Sequence, residues 1–240
     1  MVVPDGHENK FVAARVYNYV QSEYQFLSRC CFFCRFASMK IICIGRNYGL
    51  HAKELGNEIP DKPVIFCKPD TAVLKNNEDF YLPPFSNDIH YEAELVIKID
   101  KIGKTIAPQF ASKYYTQITL GIDFTARDVQ SELKSKGLPW ELAKAFDNSA
   151  VIGQFVPLEN KNIQDLHFTL EKNGDTVQTG HTADMLFKVD EIVSFVSSYF
   201  TLKTGDLIFT GTPAGVGKVS AGDRLIAKLE GTELLNFEIK

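Results

Sequence analysis

The chain has 240 residues, 45% of them hydrophobic and 23% charged, with a formal net charge of −4. That is apolar material for one large domain or two small ones, and the mildly acidic balance offers no field for a phosphate backbone, so no nucleic-acid partner is expected. No uninterrupted apolar run approaches the roughly 20 residues of a membrane helix, so no membrane partner is expected either.

Residues 1–38 differ in character from the rest of the chain. Their apolar patch around Cys30, Cys31, Phe32, Phe33 and Cys34 is broken by Arg29 and Arg35, and acidic Asp5 and Glu8 stand where a targeting signal carries basic residues. They are read as an extension outside the domain that follows. The five cysteines form an odd set without a secreted disulfide spacing, which points to a reducing compartment and a cytoplasmic protein, or a mitochondrial one in a eukaryote. Cys31 and Cys34 form a C-x-x-C with no second ligand pair at zinc spacing, so they read as ordinary thiols.

From Met39 the chain alternates short apolar strands with turns. Strands are predicted at 41–44, 64–67, 94–99, 118–124, 167–172, 206–210, 224–229 and 234–239, and helices at 48–55, 127–136 and 189–199. Asn173-Gly174 marks a type I′ hairpin, and Gly231-Thr232 separates the last two strands. Ile192, Val193, Val196 and Tyr199 form one apolar helical stripe, read as core packing. The pattern is α+β and dominated by sheet, without regular βαβ alternation.

Four segments carry chemistry. In the first, Asn47 caps a short helix that Gly56 ends, placing His51 and Glu54 at i and i+3 on one face. A carboxylate beside an imidazole builds a general base; the alternative is a surface histidine with a helix-stabilising neighbour. In the second, Glu92 and Glu94 open an apolar strand, and alternation points both carboxylates the same way, about 6.5 Å apart along the backbone. Either they sit on a solvated edge or a cation, such as a divalent metal, compensates them.

The third segment is Gly121 to Gln130. Asp123 ends an apolar strand, where ligands tend to emerge, and Arg127 follows at a helix start; Asp123 and Asp128 could also serve only as caps. Further on, Lys144 stands in apolar company, which a neighbouring anionic site would explain better than snorkelling to water. The fourth segment, Thr210 to Lys218, invites a P-loop reading, but five residues separate Gly211 from Gly217-Lys218 and Val219 comes next, so it fails that pattern. It is a glycine-rich turn that lets backbone approach a ligand or another turn closely.

Together GRNYGLHAKE at 45–54, HYEAEL at 90–95, GIDFTARD at 121–128, LAKAFD at 142–147 and TGDLIFTGTPAGVG at 204–217 resemble the fumarylacetoacetate hydrolase family, in particular its short acylpyruvase and oxaloacetate decarboxylase-like members. The resemblance runs from Lys40 to Lys240. It departs at Tyr91, where the family often has a second histidine, a position that is not a ligand.

The resemblance implies a catalytic domain over residues 39–240 with the family's C-terminal-domain fold, a mixed β-sandwich or roll with few short helices. It implies one Mg²⁺ or Mn²⁺ on Glu92, Glu94 and Asp123, a set suited to a hard cation. His51, Glu54 and Lys144 take catalytic roles, and Arg46, Arg127, Gln130 and Thr212 bind substrate. The helix carrying His51 belongs to a mobile lid. The implied reaction is hydrolysis of an acylpyruvate to pyruvate and a carboxylic acid, or decarboxylation of oxaloacetate, both through an enolate, in a homodimeric enzyme acting on a small 2-oxo acid. An isomerase or tautomerase of an enolisable 2-oxo diacid is the alternative within the family. A non-catalytic binding protein stabilised by a metal is the alternative from another class.

Overall fold

The computed structural model describes residues 39–54, 56, 59–75, 77–159 and 161–240. The expected extension over residues 1–38, with its Cys31 and Cys34, lies outside them, as do Leu55 and its place at a helix end.

In chain order, β1 (Ile41–Gly45) is followed by α1 (Gly49–Glu54), β2 (Val64–Lys68) and β3 (Val73–Leu74). Glu92 alone separates β4 (Ile89–Tyr91) from β5 (Ala93–Ile99), and α2 (Pro108–Ala111) leads to β6 (Tyr115–Asp123) and β7 (Thr125–Ala126). Then come α3 (Arg127–Ser135), α4 (Glu141–Lys144), β8 (Ala150–Ile152), β9 (Val156–Pro157), β10 (His167–Lys172) and β11 (Asp175–His181). The chain closes with α5 (Val189–Tyr199), β12 (Leu207–Phe209), β13 (Gly217–Lys218), β14 (Arg224–Leu229) and β15 (Thr232–Glu238).

Eight strands form a mixed sheet in the order β2-β1-β12-β5-β6-β8-β3, with β9 also on β6; β11-β10-β14-β15 form a second sheet and β13-β4-β7 a third. Alternation along the central strands divides their side chains between two faces. Ile42, Ile44, Leu95, Ile97, Leu120, Ile122 and Ile208 face the main core, which they share with Phe168, Leu225 and Phe237 of the second sheet and Val189, Ile192, Val193 and Val196 of α5. The opposite face carries a smaller cluster of Ile41, Cys43, Val96, Ala150, Leu207 and Phe209. Glu94 belongs to this second face, two residues before Val96. The acidic residues therefore emerge behind the main core, at one end of the large sheet.

Local chemistry explains most elements and corrects several. Asn173 (φ 57°) and Gly174 (φ 92°) make the expected type I′ turn, with Lys172 paired to Asp175. The last hairpin turns on Glu230 (φ 48°) and Gly231 (φ 76°), one residue earlier than predicted, since β15 already starts at Thr232. Helix α5 matches its prediction, but Tyr199 is 64% exposed and lies off the buried stripe. Among the described residues no helix is long and apolar enough to cross a membrane.

Candidate active site

The site grows out of the β5–β6 ladder. Ala93 pairs with Ile122 and Glu94 with Gly121, and the Asp123 N–H donates to the Glu92 carbonyl at 2.8 Å, so Asp123 stands opposite Glu92. Directly opposed residues share a face, as do residues two apart on one strand. Glu92, Glu94 and Asp123 therefore converge, with a ligand oxygen from each within 4.8 Å of the others. All three are buried, at 5%, 2% and 0% exposure. The solvated-edge reading of Glu92 and Glu94 is thereby excluded.

The compensation first visible is from the chain itself. Lys144 on α4, 3% exposed, places Nζ 2.7 Å from Glu92 Oε2 and 2.6 Å from Asp123 Oδ2. Lys68, at the end of β2, lies 2.7 Å from Asp123 Oδ1 and also donates to Ser149 Oγ at 2.9 Å and to the Lys144 carbonyl. Arg127, opening α3, meets Glu92 Oε1 at 2.5 Å and donates to Gln130 Oε1 at 2.7 Å. Burial works against charge on Glu92, yet Lys144 and Arg127 outweigh it and hold this carboxyl far below the usual range. Burial likewise opposes charge on Lys144, but Asp123 and Glu92 keep it protonated well beyond an ordinary lysine.

Glu94 is different. Among the described residues the ion pairs of the trio go to Glu92 and Asp123, while Glu94 Oε2 accepts the Gly211 N–H at 2.7 Å. Burial, then the charges of Asp123 and Glu92, push its carboxyl well above the usual range. Asp123 Oδ1, although close to Lys68, receives no hydrogen bond of acceptable direction among the described residues. A buried acid driven toward protonation and a carboxylate oxygen without a hydrogen bond, set among three converging oxygens, fit a divalent hard cation.

Gly211 makes the Glu94 contact possible. Its φ is 100°, and a Cβ there would stand 2.7 Å from the Asn47 Cβ. Asn47 is not the cap predicted for α1. Its Nδ2 donates to Thr210 O at 2.8 Å and Phe187 O at 3.1 Å, and its Oδ1 accepts the Phe187 N–H at 2.7 Å, so it ties the end of β1 to two distant loops. His51 and Glu54 do meet, Nδ1 to Oε2 at 3.3 Å, with His51 5% exposed. Glu54 accepts the Gly215 N–H at 3.2 Å, which anchors α1 to the glycine-rich turn.

One cleft is lined by Arg46, His51, Glu92, Glu94, Asp123, Arg127, Gln130, Lys144 and Thr212. Of the site residues expected from the sequence, Glu54 is the one that does not line this cleft; it contacts His51, which does. The Thr212 hydroxyl is already engaged, donating to Ala93 O at 2.8 Å and accepting from Gln178 at 2.9 Å. Asp128 turns away to bind Ser86 Oγ at 2.6 Å. The sequence reading missed Lys68, Gln178, Phe66, Lys134 and Trp140. A lysine ending an apolar strand was the available signal for Lys68.

Comparison with known proteins is consistent across sequence and structure. The model of the fumarylacetoacetate (FAA) hydrolase C-terminal family matches residues 40–239. Oxaloacetate tautomerase FAHD1, mitochondrial, of Mus musculus is 41% identical over 203 residues, covering 83% of this chain and 91% of that protein. Oxaloacetate decarboxylase, mitochondrial, of Dictyostelium discoideum is 40% identical over 203 residues, covering 83% and 93%. The crystal structure of fumarylpyruvate hydrolase from Pseudomonas aeruginosa in complex with Mn²⁺ and pyruvate superposes with a TM-score of 0.79 at 35% identity, covering 83% of this chain and 88% of that one.

Proposed function

The chain belongs to the fumarylacetoacetate hydrolase family, and from that membership and the buried acidic trio we propose that it cleaves or rearranges a small 2-oxo acid through an enolate, using Mg²⁺ or Mn²⁺ on Glu92, Glu94 and Asp123. The observation that carries this reading is the convergence of three buried carboxylates within 4.8 Å, one of which, Glu94, is driven toward protonation. A bound divalent cation would supply Lewis-acid stabilisation of negative charge developing at the substrate's C2 oxygen, an effect of several kcal/mol.

The chain's own residues do the rest. Lys144, kept protonated, and Arg127, whose Nε is buried without a partner among the described residues, hold substrate oxygens and neutralise developing charge. His51 and Glu54 form the proton-handling pair. For an acylpyruvate they draw a proton from water as it attacks the C4 carbonyl; the C3–C4 electron pair then leaves into the pyruvate enolate, which is protonated at C3. For oxaloacetate the same bond breaks with loss of carbon dioxide and no attacking water. Tautomerisation instead moves a proton between C3 and the C2 oxygen, and the pair serves there as base and acid. The oxaloacetate tautomerase and decarboxylase relatives and the fumarylpyruvate hydrolase neighbour support all three as outcomes of one site. We extend the same expectation to a homodimer, checked by light scattering.

The test is a steady-state comparison of acetylpyruvate and oxaloacetate with added Mg²⁺, Mn²⁺ or chelator. Turnover that chelation abolishes and either ion restores supports the proposal; no turnover of either compound, with a large loss of melting temperature on chelation, returns the site to a structural metal in a binding protein.

A further inference from the structure

Gln178 stands on β11, in the second sheet, and does not line the cleft. It is nevertheless 2% exposed, with both ends of its amide engaged. Its Oε1 accepts the Ala93 N–H at 2.9 Å, and its Nε2 donates to Thr212 Oγ1 at 2.9 Å and to the Pro213 carbonyl at 3.0 Å. These partners fix which way the amide points, because a backbone N–H only donates and a carbonyl only accepts.

The bonds reach both halves of the site. Ala93 is the single residue between Glu92 and Glu94. Its N–H belongs to the peptide that joins it to Glu92, and its carbonyl to the peptide that joins it to Glu94. Gln178 holds the first, and Thr212 Oγ1, itself held by Gln178, donates to the second at 2.8 Å. One bridge therefore pins both peptide planes that connect two of the three acids. The same bridge fixes the turn after β12, in which the Gly211 N–H meets Glu94 at 2.7 Å and the Gly215 N–H meets Glu54 at 3.2 Å.

Strand β11 is shaped for this task. Leu170 pairs with Gln178 and Glu171 with Thr176, which leaves Val177 as an extra residue beside Gln178. Such a bulge bends a strand and re-aims the neighbouring side chain. Gly215, with φ 96°, packs so closely on the bulge that a Cβ would run into the Val177 carbonyl. The strand, the turn and the Ala93 backbone thus meet around one amide.

Resting on the proposed ion at Glu92, Glu94 and Asp123, we propose that Gln178 is a positioning residue of the site, acting through Ala93 and the Gly211–Gly215 turn. It sets these two segments in one register, so that the carboxylates meet a common centre and Glu54 is held against His51. An apolar side chain of the same length would fill the space but leave the Ala93 N–H and the Pro213 carbonyl without their partner. Groups that orient metal ligands from behind in this way typically contribute about 10–100-fold in affinity.

The test is Mn²⁺ binding to the full-length protein, followed by electron paramagnetic resonance at a temperature where circular dichroism shows every variant compared to be folded. Gln178→Met should weaken Mn²⁺ at least about tenfold and alter the line shape of the bound ion. Val196→Ala is the control: Val196 is buried on α5, which carries no residue of the bridge, so its loss lowers melting temperature and should leave affinity within about twofold of the wild type. Thr212→Val cuts the bridge at its other end, should weaken the ion in the same direction, and decides the matter if Gln178→Met does not fold. Unchanged affinity and line shape in the bridge variants, or an equal loss in Val196→Ala, would overturn the positioning role. A wild type that binds no Mn²⁺ would defeat the proposed ion site and this role together, whereas wild-type binding with unaffected bridge variants would defeat this role alone.

Discussion

Asp123 stands opposite Glu92 across the β5–β6 ladder, joined backbone to backbone at 2.8 Å and side chain to side chain through one ammonium, that of Lys144. Two strands thus deliver two acids to one face, and Glu94 adds the third by alternation. Strand register, a property of the main core, sets the geometry of the site.

Cation binding should release protons. Burial, with Asp123 and Glu92 nearby, raises the Glu94 carboxyl above its usual range, so without an ion Glu94 keeps its proton to higher pH than an ordinary carboxyl, and a cation must displace it there. Glu92 is lowered and has no proton to give. Affinity for Mn²⁺ should therefore strengthen as pH rises through the Glu94 range. Titration calorimetry in two buffers of different ionisation enthalpy should show proton release; pH-independent binding with none would contradict the assignment.

Removing Lys144 should be costly in the absence of metal. Lys144→Met leaves Glu92 and Asp123 buried against each other, and breaking a buried ion pair from one side costs about 3–5 kcal/mol. Urea unfolding with chelator should show that loss, and excess Mn²⁺ should recover part of it. A variant as stable as the wild type would mean the carboxylates are not ionised there.

His51 and Glu54 should divide the chemistries. Glu54→Gln should abolish acylpyruvate hydrolysis, which needs an activated water, and spare oxaloacetate decarboxylation, which does not. Equal loss of both activities would place the pair in a step common to the two.

Gly211→Ala should weaken the ion as well as the fold. Its φ of 100° strains any side chain, and the added Cβ would meet the Asn47 Cβ at 2.7 Å, displacing the N–H that holds Glu94. The strain alone is worth about 1–3 kcal/mol. Gly205→Ala is the control, with φ 93° and nothing within 4 Å of the added Cβ: it should lower melting temperature without changing Mn²⁺ affinity.

How much of the fold and site was legible in the sequence depends on the range of the interactions. Glu92 with Glu94, the His51–Glu54 pair, the Asn173-Gly174 turn and helix Val189–Tyr199 are set by residues a few positions apart, and their patterns read correctly. For Lys144 the neighbouring anionic site suggested by its apolar company is present, as Glu92 and Asp123. Lys68 was missed, since a lysine closing an apolar strand usually reaches water, and its partners Asp123 and Ser149 arrive through sheet pairing that local pattern does not encode. Asn47 failed for the same reason: a local capping role and a tie to Phe187 and Thr210 demand the same residue type. Tyr199 kept the helical period of a buried stripe but sits at the last turn, where the core has ended.

The most direct test of the central claim is Mn²⁺ binding monitored by electron paramagnetic resonance, on the wild type and on Asp123→Asn, with oxaloacetate turnover measured on the same samples. One tightly bound ion per chain in the wild type, lost together with turnover in the variant, is the predicted result. Undiminished ion binding in Asp123→Asn, or full turnover in the wild type after the ion has been stripped, would contradict it.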